Sequence, residues 1–118
     1  MATHNDLGKL GESLALKYLQ QHGFTILAQN YRFKKAEVDI ICRNQTDLVF
    51  VEVKTRSSRY YQSAHDTVGE KKQELLKEAA ANFMEQNEMT LEPRFDILFI
   101  LFENETSSIE HVQDAFWG

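Results

Sequence analysis

The sequence predicts an α/β protein of order αβββαββ, with a mixed central sheet flanked by two helices. Three observations carry that prediction. Residues 36–54, AEVDIICRNQTDLVFVEVK, hold two runs of apolar alternation around the polar turn Asn44-Gln45-Thr46-Asp47, the pattern of a β-hairpin. Two segments, from Leu7 to Gln21 and from Thr67 to about Asn87, repeat their apolar side chains at helical spacing. The run from Arg94 to Phe102 is apolar except for Asp96 beyond its first residue, which suits a central strand covered on both faces. The helix-bearing connection before it has the length of a βαβ crossover, so this strand should lie parallel to its partner.

In chain order, Asp6 is the expected N-cap of the first helix, Leu7, Leu10, Leu14 and Tyr18 form its apolar stripe, and Gly23 stops it. Gly8 and Gly11 each cost roughly 1 kcal/mol against alanine inside a helix, which points to close packing of this helix on the hairpin. Phe24 to Arg32 reads as a first strand, and Phe33-Lys34-Lys35 as a basic turn. A hairpin loop centred on Gln45-Thr46 sets Val38 opposite Val53, Ile40 opposite Val51 and Cys42 opposite Val49, giving one wholly apolar face. The other face then sets Asp39 opposite Glu52, Glu37 opposite Lys54 and Ile41 opposite Phe50. Thr55 to Tyr61 reads as a polar, basic loop with two aromatic residues. The second helix buries Val68, Leu75, Leu76, Ala79, Ala80 and Phe83. Glu88 to Pro93 connects it to the apolar strand. Glu103 to Ser108 reads as an acidic turn, Ile109 to Val112 as a short edge strand, and Ala115-Phe116-Trp117 as an apolar end that packs down.

A chain of 118 residues is expected to form one domain over residues 1–118. Its 42% hydrophobic content and single proline argue against disorder. The lone Cys42 falls on the apolar hairpin face, as a core residue in a reducing compartment, and leaves no partner for a disulfide. No apolar run approaches the ~18 residues of a membrane span, and the polar start lacks a basic secretory region. A cytoplasmic protein without a membrane partner is therefore expected. The net charge of −5 weighs against a strong nucleic-acid binder. Its distribution softens the objection: residues 28–60 hold seven basic groups (Arg32, Lys34, Lys35, Arg43, Lys54, Arg56 and Arg59) against four acidic ones. These gather around the hairpin, where a phosphate would have to sit.

Like charges facing each other across a strand ladder are destabilising, so Asp39 against Glu52 asks for an offset. A divalent cation is one answer, since magnesium takes oxygen ligands, usually one or two carboxylates completed by water and substrate phosphate. Lys54 and Glu37 close by are another, and a solvated sheet face with incidental charges is a third. Glu12 lies on the edge of the first helix's apolar arc, beside Ala15 and Leu19, where it either faces water or turns toward the sheet. Lys72 falls on the stripe of the second helix, where it either snorkels to the surface or reaches the carboxylates.

Aspartate, twelve intervening residues and then Glu52-Val53-Lys54 resembles the PD-(D/E)xK signature of the restriction endonuclease-like superfamily. Gly8-Lys9-Leu10-Gly11-Glu12, Ala36-Glu37-Val38-Asp39, Val49-Phe50-Val51-Glu52-Val53-Lys54-Thr55-Arg56 and Arg94-Phe95-Asp96 together resemble the YraN-like family of small bacterial proteins, similar in fold to archaeal Holliday junction resolvases. The resemblance runs from about Leu7 to Phe116 and implies a restriction endonuclease-like core. It implies a metal-dependent endonuclease acting on DNA, in which Asp39 and Glu52 hold Mg²⁺ or Mn²⁺, supported by Glu12 and Glu37. Lys54 would orient the attacking water, and Lys72, Arg56, Arg59, Lys34 and Lys35 would contact the nucleic acid. It also implies a homodimer, since a four-way junction presents two symmetric strands. Two features depart from the pattern: Ala36 stands where the family usually has glycine, and Val38 stands where the superfamily signature has proline. Two other classes fit the same residues, a nucleic-acid-binding module of nuclease fold that does not cut and an interaction domain that docks through Phe116 and Trp117.

Overall fold

The protein is described by a computed structural model, which covers residues 4–57 and 69–116. Helix α1 (His4–Gln21) is followed by strands β1 (Thr25–Phe33), β2 (Ala36–Arg43) and β3 (Asp47–Ser57). Helix α2 (Glu70–Gln86), β4 (Glu92–Glu103) and β5 (Thr106–Val112) complete the order. The strands form one five-stranded mixed sheet of order β1-β2-β3-β4-β5, with β3 and β4 parallel and the other neighbours antiparallel.

The helices cover opposite faces. On one, Ala15 and Leu19 of α1 pack on Ile40, Cys42, Val49, Val51, Leu98 and Ile100. On the other, Leu76, Ala79, Ala80 and Phe83 of α2 pack on Ile41, Leu48, Phe50, Phe95 and Ile97. β4 contributes to both cores, which is why its sequence shows no polar alternation. The predicted hairpin register holds at its centre, where Ile40 pairs with Val51, Ile41 with Phe50 and Cys42 with Val49.

Several boundaries differ from expectation for identifiable reasons. α1 starts at His4, so Asp6 sits in its first turn, where a carboxylate favours the positive end of the helix dipole. Its end is a left-handed Gly23 with φ 87°, with Phe24 N–H donating to Leu19 O at 3.0 Å and Gly23 N–H to Gln20 O at 3.3 Å. α2 begins at Glu70 after Gly69, and the expected start at Thr67, with Val68, lies outside the described residues. Thr55, Arg56 and Ser57 belong to β3, paired with Ile100, Leu101 and Phe102, and are not loop. The acidic turn shrinks to Asn104 and Glu105, both at positive φ, as a two-residue hairpin of this kind requires, and β5 starts at Thr106. Ala36 is a buried strand residue; the left-handed position of the preceding turn is Lys34, with φ 55°. Among the described residues, no helix is long and apolar enough to cross a membrane.

Candidate functional site

The pairing of β2 with β3 ends at Ile40 and Val51, one residue short of the expected Asp39–Glu52 pair. In place of the next ladder bond, Val53 N–H donates to the Asp39 carboxylate at Oδ2, 2.8 Å away. A side chain that serves a neighbouring strand's backbone must lie along the sheet toward that strand, not perpendicular to it. Alternation in β2 is therefore broken at Asp39. Val38 packs in the α2-side core while Ile40 packs in the α1-side core, which corrects the prediction that both share one face. The two strands part where the carboxylates stand.

Three glutamates, Glu52, Glu12 and Glu37, act on the Asp39 carboxyl here. Burial, then Glu52, then Glu12 and Glu37 push the Asp39 carboxyl up to about 7, against the Val53 hydrogen bond that favours its charged form. Glu12 comes from the opposite layer, carried by the seating of α1 on β3. A methyl group added at Gly11 would overlap the Thr55 hydroxyl, so the helix can lie this close only with glycine there. Gly8 has open space around it, so of the two helical glycines only Gly11 reflects close packing.

Two of these acids carry their own cations. Lys72 Nζ of α2 lies 2.7 Å from Glu52 Oε1, with side-chain exposures of 51% and 13%. The stripe lysine thus reaches the carboxylates. Arg32 Nε lies 2.9 Å from Glu37 Oε2 on the β1–β2 hairpin. Lys54 is half-buried two residues beyond Glu52 on β3, a strand step of roughly 6.6 Å along the same face. Arg56 turns Nη1 back to Thr55 O at 2.8 Å. Lys34 and Lys35 are exposed at the hairpin turn, Lys34 with its ammonium 5.3 Å from the Phe33 ring centre. Arg59, the aromatic pair Tyr60-Tyr61 and Trp117 lie outside the described residues. Among the described residues, no group of three or more His, Cys, Asp or Glu side chains is arranged to enclose a metal ion.

A family model described as uncharacterised protein family UPF0102 matches residues 11–100, which includes Glu12, the whole β2–β3 hairpin, Lys72 and Asp96. The chain belongs to the UPF0102 family. It is 47% identical over 117 residues to a UPF0102 protein of Flavobacterium psychrophilum, covering 99% of this chain and 98% of that one. It is 38% identical to a UPF0102 protein of Bacteroides thetaiotaomicron over 99% of this chain and 97% of the relative. The corresponding protein of Geobacter metallireducens is 40% identical over 98% and 97%.

This UPF0102 chain also holds a second polar cluster, which the sequence reveals only in part. Asp96 in β4 is fully buried. Arg94 grips it with Nε to Oδ1 and Nη2 to Oδ2, both 2.9 Å, and reaches Asp47 Oδ2 with Nη1 at 2.9 Å. His111 Nε2 lies 2.7 Å from Asp96 Oδ2, and Asp114 N–H donates to Oδ1 at 2.9 Å. Because the carboxylate can only accept, His111 donates from Nε2, and its Nδ1 pairs with the Tyr18 hydroxyl at 3.0 Å. Burial alone would raise the Asp96 carboxyl, but hydrogen bonds from His111, Arg94 and Asp114 outweigh it and hold it below the usual range. The pairing of Arg94 with Asp96 follows from an acid set in an apolar run. The recruitment of His111 and Tyr18, from an edge strand and a distant helix, has no local signal. This cluster ties α1, β3, β4, β5 and the C-terminal segment together, and Ala115 N–H adds a bond to Phe95 O at 2.7 Å. Phe116 stacks on Phe95 at 4.8 Å, so it is engaged within the fold. Cys42 is a buried core thiol, pushed up to about 12 by burial and then by Asp96, and is inert as a nucleophile at neutral pH.

Proposed function

We propose that this UPF0102 protein is a divalent-cation-dependent nuclease acting on DNA, with a restriction endonuclease-like core. The observation that carries the reading is the meeting of Asp39 and Glu52 where β2 and β3 part, with Asp39 held near 7 by burial and by three neighbouring carboxylates. A carboxyl raised to about 7 by burial and then by neighbouring carboxylates belongs to a donor set whose repulsion a hard cation would relieve. Magnesium usually takes only one or two protein carboxylates, completed by water and substrate phosphate, and Asp39 and Glu52 are such a pair.

Asp39 and Glu52 would hold Mg²⁺ or Mn²⁺, with Glu12 and Glu37 shaping the field around them. When bound, the ion supplies charge stabilisation at a phosphoryl oxygen and acidifies a water. The chain's own residues do the rest. The Val53 N–H fixes the orientation of Asp39. Lys54, next along the Glu52 face of β3, orients the attacking water and offsets charge gathering on the phosphate. Lys34 and Lys35 at the hairpin turn, with Arg56 and Arg59, hold the phosphates on either side.

The test is cleavage of labelled linear, single-stranded, flapped and four-way-junction DNA with Mg²⁺, Mn²⁺ or chelator, in parallel with Asp39→Asn and Glu52→Ala. Asparagine is chosen at position 39 because its carbonyl can still accept from Val53, whereas alanine leaves that N–H unpaired. Metal-dependent cutting lost in both variants is the expected result. Full magnesium-dependent cutting by Glu52→Ala would sink the assignment. A second reading has its own observation: Glu37 and Glu52 already carry Arg32 and Lys72 as counter-ions, as suits a module that binds nucleic acid without cutting. Junction binding that is intact in all three proteins, with no cleavage of any substrate, would favour that module.

A further inference from the structure

Within that nuclease reading, on which this inference rests, the Lys72–Glu52 contact has a role of its own. Lys72 stands in the first turn of α2, where the helix dipole disfavours a positive charge. Local helix energetics therefore do not hold the ammonium where it is. The Glu52 carboxylate does, at 2.7 Å, on the edge of a cluster in which, among the described residues, Asp39 has no cationic partner. The two partners are unequally placed. Glu52 is largely enclosed and fixed on a central strand, while half of the Lys72 side chain is in water at the end of a flexible four-carbon stem.

We propose that Lys72 is a built-in counter-ion that occupies Glu52 in the metal-free protein, exchanges with the divalent cation, and on release turns its ammonium to the phosphate backbone of the substrate. A carboxylate oxygen with an ammonium 2.7 Å away cannot offer that same direction to a second cation. Entry of the ion breaks the ion pair and sets free a positive charge beside the bound metal. A substrate phosphate drawn to the metal has the charge to accept it, while the neighbouring carboxylates are offset by the cation. Metal loading and substrate binding are thereby coupled through one side chain, with no movement of the sheet.

The coupling is read by binding, not turnover. Mn²⁺ affinity is measured by the paramagnetic resonance of the free ion for the wild type, Lys72→Met, Lys72→Arg and Glu52→Gln. Loss of an exposed competing ammonium should tighten Mn²⁺ binding about two- to five-fold in Lys72→Met and leave Lys72→Arg near the wild type. Affinity for a labelled DNA duplex is then measured with Ca²⁺ and with chelator. Lys72→Met should lose DNA affinity only when Ca²⁺ is present, because without metal the ammonium is held by Glu52. Mn²⁺ affinity that is unchanged or weaker in Lys72→Met overturns the exchange, as does an equal loss of DNA affinity with and without Ca²⁺. If the wild type and Glu52→Gln bind Mn²⁺ alike, the metal centre itself fails. If Glu52→Gln loses Mn²⁺ while Lys72→Met does not gain it, only the exchange fails.

Discussion

Replacing Asp39 by asparagine should stabilise the metal-free protein at neutral and alkaline pH while abolishing cation binding. An ordinary aspartate titrates near 3.8, whereas Asp39 in the folded chain titrates at about 7. The folded state therefore holds a proton that the unfolded chain has released across the interval between those values. Stability is fully present below the unfolded value and is lost as pH rises through the folded one, opposite to the usual carboxylate. A rise of that size is worth about 4 kcal/mol at face value. The half-buried side chain meets solvent, and allowing for that screening leaves about 2 kcal/mol. Asparagine keeps the acceptor for Val53 and cannot ionise, so the variant should gain about 2 kcal/mol over the wild type at pH 8 and nothing at pH 4. Urea unfolding at half-unit steps from pH 4 to 9, in chelator, measures both curves. With saturating Mg²⁺ the wild type should recover the lost stability and Asp39→Asn should not, because a bound ligand stabilises only the state that binds it. Parallel pH profiles for the two proteins would refute the reasoning, since they would mean that Asp39 ionises normally despite its neighbours.

The two helical glycines should part company. Gly11→Ala forces a methyl into Thr55 and should cost about 1–3 kcal/mol in chemical denaturation, whereas Gly8→Ala meets nothing and should gain up to about 1 kcal/mol. Equal effects at the two sites would mean that α1 does not rest on β3 at Gly11. Asp96→Ala strands Arg94 and His111 and should cost about 3–5 kcal/mol, read from the urea midpoint. Because the Asp96 carboxyl is held below its ordinary value, its contribution is present above the unfolded pKa and disappears as pH falls through the folded one. Acid unfolding of the wild type should therefore begin below about pH 4, and Asp96→Asn should flatten that limb. For nucleic-acid binding, Lys34→Ala with Lys35→Ala should lower the slope of log affinity against log salt by about 1 for each phosphate no longer neutralised. An unchanged slope would remove the hairpin turn from the interface.

What the sequence makes legible here follows the range of the interactions. Strand alternation and turn chemistry are local, so the hairpin register can be derived to the residue between Ile40 and Val51. The same derivation brings Asp39 to Glu52. It fails at that very pair because the rule assumes that a ladder continues, and nothing in the alternation of Val38, Ile40 and Cys42 says that Asp39 will take the place of a backbone acceptor. The failure is informative in itself. A polar side chain that replaces a ladder bond opens the sheet where two carboxylates meet, and local rules tend to break where a site is built. Glu12 and Lys72 are legible only as edge and stripe positions, because a single helix pattern fixes which face a residue occupies but not what faces it. The Tyr18–His111–Asp96–Arg94 cluster draws on α1, β4 and β5, and its longest bond joins residues 93 positions apart. Only the buried charge announces it. An aspartate in a strand covered on both faces must have partners, and the fold supplies four donors from three separate residues. The same physics separates the two clusters. Asp96 has all the donors it can use and holds the scaffold. Asp39 has one backbone donor, three carboxylates acting on it and, among the described residues, no cation, which is why the proposed metal is assigned to it.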